Sequence, residues 1–179
     1  MSKVWIEAAL NGPWTRAKQP GIPVAVEDIV ADGIACAEAG AAIIHAHAYD
    51  VTTGHQRDDW EIYARIIEGI RARVDVIVYP TIPSPALGQE QTTNRFGHTA
   101  ELAKRGLIEW AVIDPGSVHF TRFDDLAHGG IYQNPHADIL EGMRIARAHN
   151  VHPSYAIYEP GFTRLGAALA AIAPPSPTP

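Results

Sequence analysis

The chain of 179 residues is long enough for one domain with a sizeable core, and 46% hydrophobic with 19% charged residues is typical of a globular protein. The net charge of -6 and the scattering of 14 basic residues disfavour non-specific binding to nucleic acid or to an anionic membrane. No apolar run reaches the roughly 18 residues of a membrane span. Cys36 is the single cysteine and excludes an internal disulfide, so we expect a cytoplasmic protein.

The predicted elements alternate between β-strands and α-helices along the chain. Short apolar runs bounded by Gly, Pro and Asn indicate strands, and apolar residues at helical spacing indicate helices. Strands are predicted at 3–10, within 39–50, and at 75–80, 108–114 and 153–158. Helices are predicted at 24–39, from 58 onwards, and at 94–105, 136–149 and 161–172, with a long connection over 115–133.

This alternation, with mostly apolar strands, predicts an α/β fold with a parallel sheet covered by helices. About five β-α units would fit a doubly wound open sheet, whereas a (β/α)8 TIM barrel would need about three more. Polar residues cluster where the predicted strands end, which is where a barrel collects its site, and no glycine-rich dinucleotide motif follows the first strand. We therefore predict an incomplete TIM barrel over 1–173 and a proline-rich end over 174–179.

Two histidines end the second predicted strand. Because successive side chains of a strand alternate between its faces, His45 and His47 project from the same face. Neutral imidazoles side by side suit a divalent metal ion, zinc above all. The alternative is a pair of histidines that only form hydrogen bonds at a strand end, and this stretch alone does not separate the two.

Three carboxylates near strand ends are also of interest. Glu7 shares strand parity with Ala9 and Asn11, so it is predicted to face the interior, where a carboxylate needs a partner; a basic residue is expected. Asp50 and Glu159 are the candidates for a catalytic carboxylate. For Asp50 the alternative is a loop residue that accepts hydrogen bonds from backbone amides.

In their order and spacing, the motifs of the chain resemble those of the β-keto acid cleavage enzymes, of which 3-keto-5-aminohexanoate cleavage enzyme is the best described. The resemblance covers nearly the whole chain, and the combination is more specific than any single motif. The motifs that carry it are Asn11-Gly12, Glu38-Ala39-Gly40-Ala41 leading into the two histidines, Asp114-Pro115-Gly116-Ser117, residues 134–139, and Tyr158-Glu159-Pro160-Gly161.

The resemblance implies a TIM-barrel transferase of amino acid catabolism, which condenses a β-keto acid with acetyl-CoA and releases acetoacetate and a shortened acyl-CoA. It implies zinc held by His45 and His47 together with a late glutamate. Thr81 falls at a position that contacts the substrate, Ser84 lies in the same loop, and Asp114 stands where relatives often have asparagine. Members of the family are multimers, so a homo-oligomer is expected.

Two positions depart from the family pattern. An acidic residue after the first turn is replaced by Trp14, which cannot pair with an ammonium group, and a threonine on strand four is replaced by Val112. Both changes indicate a β-keto acid other than 3-keto-5-aminohexanoate. The third metal ligand and a catalytic arginine belong to later strands in the family, so we expect a truncated chain without turnover of its own.

Two other functions remain open at this stage. A His-x-His pair at a strand end also begins the site of many metal-dependent hydrolase barrels, although these usually carry further histidines at later strand ends, where strands three to five offer none. The chain could also be an inactive fragment that acts only through association with another chain. A partial barrel would expose an unpaired sheet edge that favours such association.

Overall fold

The computed structural model describes residues 4–84, 94–122 and 124–174, apart from the side chains of residues 122 and 125–128. Its strands are β1 (Glu7–Ala9), β2 (Ile43–Ala46), β3 (Ile77–Pro80), β4 (Trp110–Val112), β5 (Val118–Arg122), β6 (Asp125–Tyr132) and β7 (His152–Ser154). Its helices are α1 (Thr15–Lys18), α2 (Val26–Glu38), α3 (Trp60–Arg71), α4 (Gly97–Lys104), α5 (His136–His149) and α6 (Pro160–Ala170). Of the predicted proline-rich end, all but residue 174 lies outside the described residues.

The predicted strand–helix alternation is confirmed, and the helix expected at 136–149 coincides with α5. Local signals define the ends of these elements. Asp59 caps α3 by accepting a hydrogen bond from the backbone N–H of Glu61, as expected of an N-cap aspartate. Gly40 follows α2 with φ +110°, and Asn150 ends α5 in the left-handed region at φ 55°. Both residue types accept this conformation more readily than others, so the chain turns there.

The strands run in chain order across two parallel groups. β1 pairs with β2 in the register Glu7 to Ile43, and β2 pairs with β3 in the register Ile43 to Ile77. β3 lies against β4, which in turn pairs with β7. The order is sequential and lacks the reversal that defines a doubly wound sheet. The described residues form five β-α units in an α/β arrangement, and they do not contain a closed barrel.

The helices form one outer layer against the sheet. α2 packs on α3, α3 on α4, and α4 on α5, each following the order of the strands. The core between the layers is mainly aliphatic, with Ile44 of β2 and Val78 of β3 facing Ile29, Ile66 and similar side chains of the helices. Burial of such branched side chains contributes about 1.5–3 kcal/mol each, and it fixes which face of each strand points away from the helices.

The predicted long connection over 115–133 is wrong in one respect, because it contains a β-hairpin. β5 and β6 pair antiparallel, with Val118 opposite Tyr132 and Phe120 opposite Gly130. Phe120 stacks on Tyr132 with ring centres 6.0 Å apart. The two glycines at 129–130 hid this strand in the sequence, since glycine is depleted in strands.

No helix in the described part of the chain is both long and apolar enough to cross a membrane.

Candidate active site

A cavity of about 420 Å³ opens at the carboxyl ends of the strands. Every strand of the sequential series contributes at least one side chain to its wall, from Ala9 of β1 to Ser154 of β7. Carboxyl ends of parallel strands meet at one edge, which explains why residues distant in sequence converge here. The lining residues are Glu7, Ala9, Pro13, Trp14, His45, His47, Tyr79, Thr81, Ile82, Ser84, Val112, Asp114, Phe120, Tyr132, Ser154, Ala156 and Tyr158.

His45 and His47 both line this cavity, as their strand parity predicts. Their rings meet edge to face with centres 5.3 Å apart. Asn11 holds the backbone of His47 from both sides: its Oδ1 accepts from the His47 N–H at 2.7 Å, and its Nδ2 donates to the His47 carbonyl at 3.1 Å. This clamp continues the alternation of β2 past its last residue, so both imidazoles face the cavity.

Both imidazoles are held neutral by their surroundings. Burial, and secondarily the neighbouring His47, lowers the pKa of His45 to about 3. Burial also lowers the pKa of His47, against the opposing influence of its hydrogen bond to Gln56 and of the Asp58 charge. The neutral imidazole is the form that coordinates a metal ion.

The zinc ion that the family resemblance implies needs nitrogen donors with an available lone pair. The Nδ1 atom of His45 is buried and has no hydrogen-bond partner among the described residues. His45 therefore has a polar atom inside the protein whose bonding capacity is not used. Two neutral nitrogen donors this close suit one zinc ion. The residues present therefore fit as part of a zinc shell. In the part of the chain that the structure describes, no group of three His, Cys, Asp or Glu residues converges to complete it.

The three predicted substrate-contacting residues lie in the same cavity. Thr81 and Ser84 are buried in the segment after β3, and the Thr81 hydroxyl donates a long 3.4 Å hydrogen bond to the carbonyl of Ile82. Asp114 follows β4, and its carboxylate accepts hydrogen bonds from the Tyr132 hydroxyl at 2.7 Å and from the Ala156 N–H at 2.8 Å. Burial raises the pKa of Asp114 to about 6 despite these two bonds.

The two candidate catalytic carboxylates are not among the residues that line the cavity. Asp50 accepts hydrogen bonds from the backbone N–H groups of Thr52 and Thr53 and lies 3.7 Å from Arg57. It thus occupies the loop arrangement that the sequence offered as the alternative. Glu159 is exposed at the residue before α6. A catalytic role for either residue stays a prediction.

Several cavity residues were not assigned a site role from the sequence. Glu7 was expected to pair with a basic residue, but its carboxylate instead accepts a 2.8 Å hydrogen bond from the hydroxyl of Tyr79. The same hydroxyl lies 3.1 Å from Ser154 Oγ. Tyr132 lies in the hairpin that was predicted to be a connection, so no strand pattern drew attention to it. Alternation in the first strand is the signal that did point to Glu7.

The two departures from the family pattern also lie in the cavity wall. Trp14 is 43% exposed at the mouth, and Val112 is buried on β4. The ammonium nitrogen of Lys18 lies 4.6 Å from the centre of the Trp14 ring. The cavity wall at Trp14 and Val112 is therefore apolar and aromatic, and the Lys18 ammonium group already lies over the Trp14 indole. Among the described residues that line the cavity, none is lysine or arginine.

Comparison with known proteins places these features in a family. A family model described as beta-keto acid cleavage enzyme matches residues 3–173. The 3-dehydrocarnitine:acetyl-CoA trimethylamine transferase of Rhizobium meliloti (strain 1021) is 27% identical over 174 residues, covering 89% of this chain and 56% of that protein.

Two further relatives match shorter stretches. The 3,5-dioxohexanoate:acetyl-CoA acetone transferase of Paraburkholderia graminis is 35% identical over 42% of the chain and 25% of its own length. The 3-keto-5-aminohexanoate cleavage enzyme of Fusobacterium nucleatum subsp. nucleatum is 36% identical over 45% of the chain and 30% of its own length. The chain spans little more than half the length of the Rhizobium meliloti relative. Since the family model covers nearly all of it, the chain belongs to the beta-keto acid cleavage enzyme family.

Proposed function

We propose that the protein containing this chain is a zinc-dependent β-keto acid cleavage enzyme. It condenses a β-keto acid with acetyl-CoA and yields acetoacetate and an acyl-CoA. The observation that carries the proposal is the convergence of His45, His47, Thr81, Ser84 and Asp114 in one cavity at the carboxyl ends of the strands. The names of two relatives include acetyl-CoA, and the third is named for cleavage of a keto acid.

We further propose that the five β-α units are part of a (β/α)8 TIM barrel. Their sequential strand order supports this, as does a site at the carboxyl ends of the strands. The domain would include 1–173, as the sequence predicts. A homo-oligomer and a cytoplasmic location stay predictions.

Within the proposed site, His45 and His47 would hold zinc as neutral donors. Bound zinc would polarise the keto carbonyl and stabilise the negative charge that develops there during C–C bond cleavage or formation. Thr81 and Ser84 would orient the keto acid through their hydroxyls. Asp114 would contact it through a carboxyl group already fixed by Tyr132 and the Ala156 N–H. The rings at the mouth would exclude water.

We propose a β-keto acid with an uncharged, apolar substituent. The relatives are named for different keto acids, so family membership does not choose among them. Trp14 and Val112 offer apolar surface, and position 14 carries an indole where the family pattern has the acidic residue that would pair with an ammonium group. An aromatic ring can attract a quaternary ammonium group, but Lys18 already lies over the Trp14 ring and would repel one.

The metal role predicts that His45→Ala abolishes specific zinc binding, because one of two neutral donors is lost. Zinc would be titrated against a chromophoric chelator, and acetoacetate formation would be measured in the intact protein. His149→Ala is the control, since this histidine is exposed on α5. Unchanged zinc affinity and turnover in His45→Ala would contradict the zinc site.

The substrate proposal predicts a higher kcat/KM for a β-keto acid bearing a tert-butyl group than for 3-dehydrocarnitine, its trimethylammonium counterpart of similar shape. Trp14→Glu should improve the cationic substrate roughly fivefold, because a partly exposed ion pair contributes up to about 1 kcal/mol. Equal or better use of 3-dehydrocarnitine by the unaltered enzyme would refute the apolar substituent. Absence of turnover with every keto acid would instead favour the alternative that the chain is inactive and acts only through association with another chain.

A metal-dependent hydrolase finds less support than the proposed transferase. Among the described residues lining the cavity, His45 and His47 are the histidines, and none comes from β3, β4 or β7.

A further inference from the structure

We infer that Gln56 and Asp58 form a positioning pair that fixes the tautomer of His47 and leaves its Nε2 lone pair available for a metal ion. The inference rests on the proposed zinc site for its purpose, although the tautomer itself does not depend on zinc. The observation is a chain of hydrogen bonds from a carboxylate through an amide to the imidazole. Neither residue lines the cavity, and neither was assigned a role in the site from the sequence.

The chain of bonds begins at the carboxylate. The amide nitrogen of Gln56 lies 3.0 and 2.9 Å from the two carboxylate oxygens of Asp58. An ionised carboxylate can only accept hydrogen bonds, so the amide group that faces it must be the NH₂ and not the oxygen. The orientation of the Gln56 side-chain amide, which is otherwise ambiguous, is thereby fixed.

The amide oxygen of Gln56 then determines the tautomer of the His47 imidazole. Gln56 Oε1 lies 2.7 Å from Nδ1 of His47. Since an amide oxygen can only accept, Nδ1 must carry the proton, and the lone pair of the neutral ring is on Nε2. Histidines that bind metals commonly donate their other ring N–H to such a partner, which fixes ring orientation and tautomer.

The pair is itself held in place. The Tyr63 hydroxyl donates to Asp58 Oδ1 at 2.9 Å, and Tyr63 is fully buried on α3, stacked on His98 with ring centres 5.3 Å apart. His98 Nε2 in turn lies 2.7 Å from the carbonyl oxygen of Thr81. Asp58 is therefore anchored to the helix layer. Because Asp58 fixes the Gln56 amide by hydrogen bonds, and Gln56 in turn bonds to the ring, the orientation of His47 is fixed as well.

The test is ¹⁵N NMR of the metal-free chain with labelled histidines, under conditions where His47 is neutral. The unaltered chain should show the Nδ1–H tautomer at His47, and Gln56→Met should shift the ring toward a mixture. The double variant Gln56→Glu with Asp58→Asn should restore the original tautomer, because the glutamate accepts from Nδ1–H while the asparagine amide donates to the glutamate. Gln133→Met is the control, since the Gln133 side chain is exposed.

Zinc titration against a chelator gives the second measurement. Gln56→Met should bind zinc about 10- to 100-fold more weakly, and the double variant should recover most of the loss. An Nε2–H tautomer in the unaltered chain, or the same tautomer in Gln56→Met, overturns the inference. Zinc that does not bind the unaltered intact protein contradicts the proposed metal site, whereas the tautomer measurement decides the positioning role by itself.

Discussion

Asp114 is a buried carboxylate in the cavity wall, and its surroundings change its pKa. Its side chain is almost completely buried, and burial outweighs the hydrogen bonds from Tyr132 and Ala156 that favour the ionised form. The pKa of this group is therefore raised from 3.8 to about 6 in the folded state. A carboxyl group whose pKa is raised by folding binds its proton more tightly in the native state, so ionising it destabilises the fold.

The sign of the resulting pH dependence follows directly. The stabilising contribution of protonated Asp114 is fully present below the unfolded pKa and is lost as the pH rises through about 6. We predict that Asp114→Asn gains about 3 kcal/mol of stability relative to the unaltered chain between about pH 4 and pH 7. Urea unfolding across this range would measure it. Asp32→Asn on the exposed side of α2 is the control, and parallel stability curves for Asp114→Asn and the unaltered chain would contradict the prediction.

Between elements, Arg95 joins the segment after β3 to the start of α5. Its guanidinium donates to the carbonyls of Pro83 and Gln133, to Asn134 Oδ1, and to Asp138 Oδ2 at 2.9 Å. Asn134 continues the link by donating to the carbonyl of Gly116 after β4. Because Pro83 immediately precedes Ser84, this cluster supports the wall of the cavity.

We predict that Arg95→Ala lowers the free energy of unfolding by about 2–4 kcal/mol, because it leaves several acceptors without their charged donor. The Arg95 side chain is only 10% exposed, so water does not readily replace it. Arg144 on α5 is a matched control: it also pairs with a carboxylate, Glu141, but its side chain is 65% exposed. Arg144→Ala should cost less than about 1 kcal/mol. Chemical denaturation would measure the free energy of unfolding of both variants. Equal losses of stability in the two variants would show that the Arg95 cluster is not stabilising.

The same elements show how far the sequence could predict the structure. Helices and parallel strands were predictable because their periodicity is local, and the facing of His45 and His47 followed from strand parity. The β5–β6 hairpin was missed because Gly129 and Gly130 interrupt its apolar pattern. Most of the bonds around the site were not predictable, since their partners are far apart in sequence. Tyr79 and Glu7, for instance, are 72 positions apart, and no spacing rule connects them.

Across the whole molecule, the hydroxyl of Tyr79 connects strands from opposite ends of the series. It donates to Glu7 of β1 and lies within hydrogen-bond distance of Ser154 of β7, although Tyr79 itself is in β3. β1 and β7 are four strand spacings apart, which would be about 19 Å in a flat sheet. One hydroxyl cannot contact both the Glu7 and the Ser154 side chain across such a distance. The strands must therefore curve around Tyr79, as the proposed barrel would require.

We predict that Tyr79→Phe lowers the free energy of unfolding by about 1–3 kcal/mol, because Glu7 and Ser154 lose a shared partner at the centre of the curved sheet. The ring itself is retained, so its packing against His45 and Trp110 should persist. Tyr155→Phe is the matched control, since among the described residues that hydroxyl has only a 3.7 Å contact with the Met143 sulfur, and its loss should cost less than about 0.5 kcal/mol. Urea denaturation followed by tryptophan fluorescence would compare the two variants. If both lose the same stability, the Tyr79 hydroxyl does not hold the curvature, and aliphatic packing between the layers alone must impose it.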